Sequence, residues 1–283
     1  MAIHPTAVIE PGAKLGNQVE VGPFSYVARD TELGDGCQIG PRVTILPYTT
    51  LGQRCRVHAG AVLGDLPQDL SFKNEVSYVK IGNDCVLREG VTVHRGTQAG
   101  SSTEVGTGCL LMANSHIGHN CKIGNQVIMA NGALAAGHVQ IGDRAFISGN
   151  CSIHQFVRVG RLVMMSGGSA AAKDVPPFCM TQSSTTNLLM GLNVVGLRRA
   201  SIESNDRQQL KEAFRILFRS GLSYPTAVSK LRQQFDSPLI NELCDFVETS
   251  NRGLCKFFRP STRKLDATDL ANANGQLEKA SVF

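Results

Sequence analysis

Aliphatic residues recur every six positions from residue 3 to residue 165. Ile3, Ile9, Leu15, Val21, Val27, Leu33, Ile39, Ile45, Leu51, Val57 and Leu63 form one unbroken series. A second run holds Ile81, Leu87 and Val93, and a third passes from Val105 through Leu111, Ile117, Ile123, Met129, Ala135, Ile141, Ile147, Ile153 and Val159 to Met165. Glycine follows the aliphatic at 16, 22, 34, 40, 52 and 64, and a mostly small residue stands four places after it. Six fits neither the 3.6 of a helix nor the 2 of a lone strand. It fits a coil of three short strands, about 18 residues around, whose aliphatic rings are buried only when coil stacks on coil. The pattern predicts a three-sided parallel β-solenoid over 1–186.

Two stretches break the count, 65–80 (DLPQDLSFKNEVSYVK) and 98–104 (QAGSSTE). Interruptions of a strict solenoid are where functional groups collect. From about 187 the period becomes helical. DRQQLKEAFRILFRSG places Leu210, Phe214, Leu217 and Phe218 on one face, and SYPTAVSKLRQQF and PLINELCDFVETS read as two further helices. A small helical domain over 187–260 is expected, with a disordered tail over 261–283.

Composition narrows the class. The 283 residues include 29 glycines, no Trp and only 6 % aromatics, which suits a core of small stacked side chains. No long apolar run and no basic, apolar leader is present, so an integral membrane segment is not expected and the cytoplasm is. Six of the nine cysteines (37, 55, 85, 109, 121, 151) fall at the small interior position, as reduced thiols acting as small hydrophobes. No C-x-x-C pair suggests structural zinc. Residues 196–264 carry 13 Lys and Arg against seven Asp and Glu. That excess suits an acidic partner or plain solvated helix faces, and lacks the interleaved aromatics of a nucleic-acid surface.

Folded in coils of 18, the third run puts His116, His119, His138 and His154 on one face. His94 joins them if the second interruption replaces a hexad. Three readings compete for the stretch NSHIGHNCKIG, residues 114–124. Neutral imidazoles could hold a metal, as in the γ-type carbonic anhydrases of the hexapeptide superfamily, although His116 and His119 straddle Ile117. An imidazole titrating near neutrality could act as a general base. Any single histidine, His94 above all, could be an idle surface residue. His119 itself is expected at an outward corner position, packed into no core.

The hexads resemble the left-handed parallel β-helices of the hexapeptide-repeat family, and handedness comes from that resemblance. DLPQDLSF, REGVTVHRGT, NSHIGHNC, AAGHVQIGD, SIHQFVRVG, AKDVPPF, GLNVVGLRR and FRILFRSG follow in an order that resembles the UDP-N-acetylglucosamine O-acyltransferases of lipid A biosynthesis, from residue 1 to about 258. The resemblance implies a homotrimer with no cofactor and no metal. It implies transfer of a 3-hydroxyacyl chain from acyl carrier protein to the 3-hydroxyl of UDP-N-acetylglucosamine. By position, His119 matches the general base and Gly137 the oxyanion donor. Asp69, His116, His138, His154 and Gln155 match contacts to the sugar nucleotide or acyl donor. Asn193 and Arg199 match contacts to phosphopantetheine or nucleotide phosphates, and Gly167 the place where acyl length is gauged. Arg198, Arg199 and Arg215 are expected to dock the carrier. This sequence departs from the family at Asn120, often Asp; at Val195, usually Glu; and at Ser71, usually Lys. The first leaves the base without an ionised orienter, and the other two bear on the acceptor. The alternatives are N-acyl transfer to a 3-amino sugar nucleotide, a paralogue with another acceptor, or a trimeric metal-binding or scaffold protein.

Overall fold

The computed structural model describes residues 2–182 and 188–257. The hexads become strands of two to four residues, and the 28 strands among the described residues sort into three faces of eleven, nine and eight, parallel except for the last pair. The eleven-stranded first face holds Ile39, Leu111 and Ile147. The nine-stranded second face holds Val93, Ile117, Ala135 and Ile153, and the third holds Leu51, Ile81 and Ile123. Regular coils pair at an offset of 18, as in Ala2 with Glu20 and Ile117 with Ala135. Leu51 instead pairs with Ile81 and Ile81 with Val105, so the interruptions add twelve and six residues without breaking the stack. Both contribute strand: Tyr78–Ile81 and Ser102–Val105 lie side by side on the third face. Only residues 66–77 and 95–101 loop out.

The hexad has a steric logic. Its aliphatic turns inward, and the core from Val19 to Leu189 is almost wholly buried. The glycine after it faces the neighbouring coil: a Cβ on Gly118 would sit 3.0 Å from the Ala135 oxygen, the Ala136 carbonyl carbon and the Gly137 nitrogen. Three residues after the aliphatic the backbone turns through the left-handed region, at Asn114, Asn120, Gln126, His138, Arg144, Asn150, Phe156 and Leu162 among others. That conformation costs a non-glycine residue about 1–2 kcal/mol. It persists here because inter-coil hydrogen bonds over-determine each corner. All nine cysteines are buried and unbridged, the six interior ones included.

An antiparallel pair of strands ends the first face. Cys179–Gln182 continues the first face and pairs antiparallel with Leu188–Leu192. The helical period expected from 187 therefore gives way to a strand there, because LLMGL satisfies a sheet edge as readily as a helix face. Four helices follow: α1 (Val194–Arg199), α2 (Ser204–Arg219), α3 (Tyr224–Gln234) and α4 (Pro238–Glu248). The face predicted for α2 is the buried one, with Leu210, Phe214, Leu217 and Phe218 inside. Arg158 donates to the Phe246 carbonyl at 2.7 Å, and Arg161 pairs with Glu242 at 2.7 Å, fastening α4 to the solenoid. Asp174, 1 % exposed, receives the Arg158 N–H and Ser250 hydroxyl and exchanges backbone bonds with Gly253 and Cys255. No helix among the described residues is long and apolar enough to cross a membrane. The segment expected as a disordered tail, 261–283, lies outside the described residues.

Candidate active site

Stacking at a fixed offset sorts the second face into columns. Arg95, His119, Gly137 and Gln155 each stand two places after their coil's aliphatic. Gly96, Asn120, His138 and Phe156 stand three places after it, at the corner toward the third face. His119 and Gly137 are therefore the same position in successive coils, and the imidazole lies across the glycine. A Cβ on Gly137 would be 2.3 Å from both Cε1 and Nε2 of His119. A side chain at 137 would occupy the space the ring needs. The N–H of Gly137 has no acceptor among the described residues, while its carbonyl accepts from Phe156 at 3.1 Å.

His119 is 9 % exposed, not the outward residue its corner position suggests. The first interruption folds over it. Asp69 Oδ2 stands 3.7 Å from His119 Nε2, and the Ser71 N–H and hydroxyl both donate to Asp69 Oδ1 at 2.8 Å. Those two bonds hold the Asp69 carboxyl below its usual range, with smaller help from the two nearby imidazoles. On the other side, His119 Nδ1 lies 3.0 Å from Asn120 Oδ1. The same oxygen accepts from the Thr97 N–H at 3.1 Å and the Thr97 hydroxyl at 3.0 Å. A backbone N–H can only donate, so the amide atom turned this way is the oxygen. An amide oxygen can only accept, so His119 Nδ1 carries the proton. Nε2 is left with a free lone pair beside an ionised carboxylate.

Three further histidines, His94, His116 and His138, pack around this site. The His116 ring meets the Thr92 hydroxyl through Nδ1 at 2.7 Å and packs edge-on against His94 with centroids 4.9 Å apart. Burial, then the charges of His94 and His119, pushes His116 down to about 4. His94, the histidine most open to an idle surface role, is 6 % exposed, and burial lowers its pKa too. His138 stands edge-on to His119 at 5.2 Å and is stacked on Phe156 at 4.6 Å, with its pKa also lowered by burial. No group of three or more His, Cys, Asp or Glu among the described residues is placed to hold a metal.

A groove of about 550 Å³ runs over this face. Its lining includes Gln68, His94, His116, His119, Gly137, His154 and Gln155 together with the apolar Leu134, Ala136, Ile153, Ala170 and Ala171. Thus Asp69, His116, His119, Gly137, His138, His154 and Gln155 come together in or beside one groove. Gly167 does not line it, but turns the exposed corner that feeds the Ala170–Ala171 strand, at the far edge of the same face. Asn193 and Arg199 are elsewhere. Asn193 caps α1 through the Gly196 N–H and donates to the Leu162 carbonyl at 2.9 Å, while Arg144 reaches the Arg199 carbonyl. Leu162 and Arg144 are corners between the third and first faces, a different edge of the prism. Arg198 and Arg215 line a second groove of about 550 Å³ between Gly191–Leu192, α1 and α2, together with Arg207, Lys211 and Arg219. Sequence reasoning missed Thr97, which lies in a loop without period. It also missed the Phe156 stack, although Phe156 is one 18-residue step beyond His138 and could have been found by that count.

Residues 30–65 and 102–137 match the bacterial transferase hexapeptide (six repeats) family, and the coils are those of a hexapeptide-repeat transferase. Residues 174–255 match the second domain of UDP-N-acetylglucosamine O-acyltransferase. An acyl-[acyl-carrier-protein]–UDP-N-acetylglucosamine O-acyltransferase of a Sulfurihydrogenibium species is 56 % identical over 94 % of this chain and 98 % of its own. One from Chlorobaculum parvum is 51 % identical over 92 % and 98 %. The crystal structure of UDP-N-acetylglucosamine O-acyltransferase from Moraxella catarrhalis superposes with a TM-score of 0.88 at 35 % identity, covering 90 % of this chain and all of that one. The chain belongs to the acyl-[acyl-carrier-protein]–UDP-N-acetylglucosamine O-acyltransferase family, and its solenoid is the left-handed parallel β-helix.

Proposed function

We propose that this groove transfers a 3-hydroxyacyl chain from acyl carrier protein to the 3-hydroxyl of UDP-N-acetylglucosamine, the first step of lipid A biosynthesis, with His119 as general base. One observation carries the reading: the amide oxygen of Asn120 fixes the proton on Nδ1 and leaves Nε2 free at the groove, beside Asp69. As the hydroxyl attacks the thioester carbonyl, its proton passes to Nε2. The nearby carboxylate of Asp69 favours the imidazolium that forms. Negative charge gathers on the former carbonyl oxygen, for which the unengaged N–H of Gly137 is a donor already in place. Collapse of the tetrahedral intermediate breaks the carbon–sulfur bond, and the leaving thiolate takes the proton back from His119. The apolar lining suits the acyl chain, with Gly167 at its far edge leaving room for length.

The groove itself offers no Lys or Arg to a diphosphate. Arg199 and Asn193, expected as contacts to phosphopantetheine or the nucleotide phosphates, stand on another edge of the prism. A neighbouring subunit must therefore supply them, which favours a homotrimer of closed symmetry. The basic groove of Arg198, Arg207, Lys211, Arg215 and Arg219 suits the acidic surface of acyl carrier protein, and a carrier-dependent reaction of this kind is in keeping with the cytoplasm.

Val195 is exposed and apolar in α1, and the Ser71 hydroxyl is engaged with Asp69 rather than open to substrate. These two features favour testing a second acceptor, the 3-amino analogue of the sugar nucleotide. Mass spectrometry of the products formed with each acceptor decides between them: an ester at the 3-position supports the main reading, and acylation of the amine alone overturns it. Mixing His119→Gln subunits with Arg199→Glu subunits should restore activity that neither has alone. No restoration would count against a site shared between subunits.

A further inference from the structure

We propose that Thr97 is a positioning residue that sets the tautomer of His119 through Asn120. The proposal rests on His119 acting as general base. A carboxylate beside an imidazole has acceptor atoms only, so either orientation selects the same tautomer. An asparagine does not. With its NH₂ turned to His119, Asn120 would donate to Nδ1, move the ring proton to Nε2 and leave no lone pair at the groove. The Thr97 donors oppose that flip, and two further features fix the backbone from which the side chain projects. The Thr97 N–H and hydroxyl both donate to Asn120 Oδ1, at 3.1 and 3.0 Å. The Asn120 N–H is fixed by the Thr103 hydroxyl at 2.8 Å, and Thr103 is fully buried. The Asn120 backbone is held in the left-handed corner conformation, φ 59°, so the side chain leaves the chain in one direction.

Thr97 is itself held by the architecture. It lies just before the second interruption, in the loop 95–101 between the strands Thr92–His94 and Ser102–Val105. Arg95 donates its N–H to the Asp65 carbonyl, and the Ser77 hydroxyl donates to the Gly96 carbonyl at 2.6 Å. Arg95, 9 % exposed, also places its guanidinium over the Tyr48 and Phe72 rings at 5.4 and 5.5 Å. Phe72 lies three residues from Asp69 and donates its N–H to the Asp69 carbonyl. The two loops thus form one interlocked unit that holds a partner at each nitrogen of His119, Asp69 at Nε2 and Asn120 at Nδ1.

The test is a double-variant cycle on the full-length enzyme, with His119→Gln as reference. Thr97→Val removes the hydroxyl and keeps the backbone donor. Losing one such bond should lower kcat about five- to tenfold with KM for the sugar nucleotide unchanged. Thr97→Ser should retain wild-type kcat within about twofold, because it keeps the donor. In an Asn120→Asp background, Thr97→Val should have little effect on kcat, because a carboxylate has no wrong face to present. Equal losses from Thr97→Val in the Asn120 and Asn120→Asp backgrounds would show a merely structural role and overturn the proposal. So would an unaffected kcat in Thr97→Val. An inactive His119→Gln together with either result sinks this proposal alone, whereas an active His119→Gln sinks the general-base reading beneath it.

Discussion

Gly137 occupies the position of His119 one coil on, and the imidazole of His119 fills the volume where a Cβ on Gly137 would be, 2.3 Å from its Nε2. The two are one device: a glycine gives the base its seat, and the same glycine offers its N–H where the oxyanion forms. Gly137→Ala should lower kcat by about 10²-fold or more, since a misplacement near 1 Å at the reacting centre costs that much. Its melting temperature should fall little, because the collision is with the outer end of one side chain. Steady-state kinetics with a thermal melt check this. Near-wild-type kcat would show that neither the seat nor the donor matters.

The buried imidazoles predict how stability responds to acid. His116 is held down to about 4 against the usual 6.5, chiefly by burial, and His94 and His138 are lowered for the same reason. Above pH 6.5 these rings are neutral in both folded and unfolded chains and contribute no pH dependence. Between 6.5 and 4 the unfolded chain binds protons that folded His116 refuses, so stability falls as pH falls. Below 4 that contribution levels off. Melting temperatures from pH 7 to 4.5 should fall more steeply for the wild type than for His116→Gln. Equal slopes would contradict the account.

The basic groove predicts a carrier effect separable from chemistry. Arg198 and Lys211 are exposed and line it, and neither has an ion-pair partner among the described residues. Arg198→Glu with Lys211→Glu should raise KM for the acylated carrier about tenfold or more at low salt, leave KM for the sugar nucleotide unchanged, and flatten the salt dependence. Salt-dependent kinetics with an unchanged carrier KM would remove this surface from the reaction. Arg215 is a poorer probe, because Glu212 pairs with it in the same helix.

Periodicity made most of the solenoid legible. Ile117, Ala135 and Ile153 fall on one face by counting alone, and the cysteines at 37, 55 and 85 are interior for the same reason. What counting could not reach lies where the period stops. His119 reads as a corner residue in its own coil and is buried only because Gln68 and Asp69 fold over it from a loop without repeat. Thr97 sits in the other such loop. Leu188–Leu192 is an apolar run with no decisive period, and the six residues of α1 are too few to show one. Asn193, matched by resemblance to a ligand contact, is engaged by its own chain at both ends of the amide, as helix cap and as donor to Leu162. Gly137 came by resemblance alone, and only the column shared with His119 gives it a physical cause.

The central claim is that Nε2 of His119 removes the acceptor proton. His119→Gln tests it most directly, because glutamine fills much of the same buried space and cannot act as a base at neutral pH. Turnover should drop by about 10²–10⁴-fold. The dissociation constant for the sugar nucleotide should change by less than about threefold, and the melting temperature should stay within a few degrees, as expected when binding groups and packing are kept. A His119→Gln enzyme that turns over at near the wild-type rate would contradict the account.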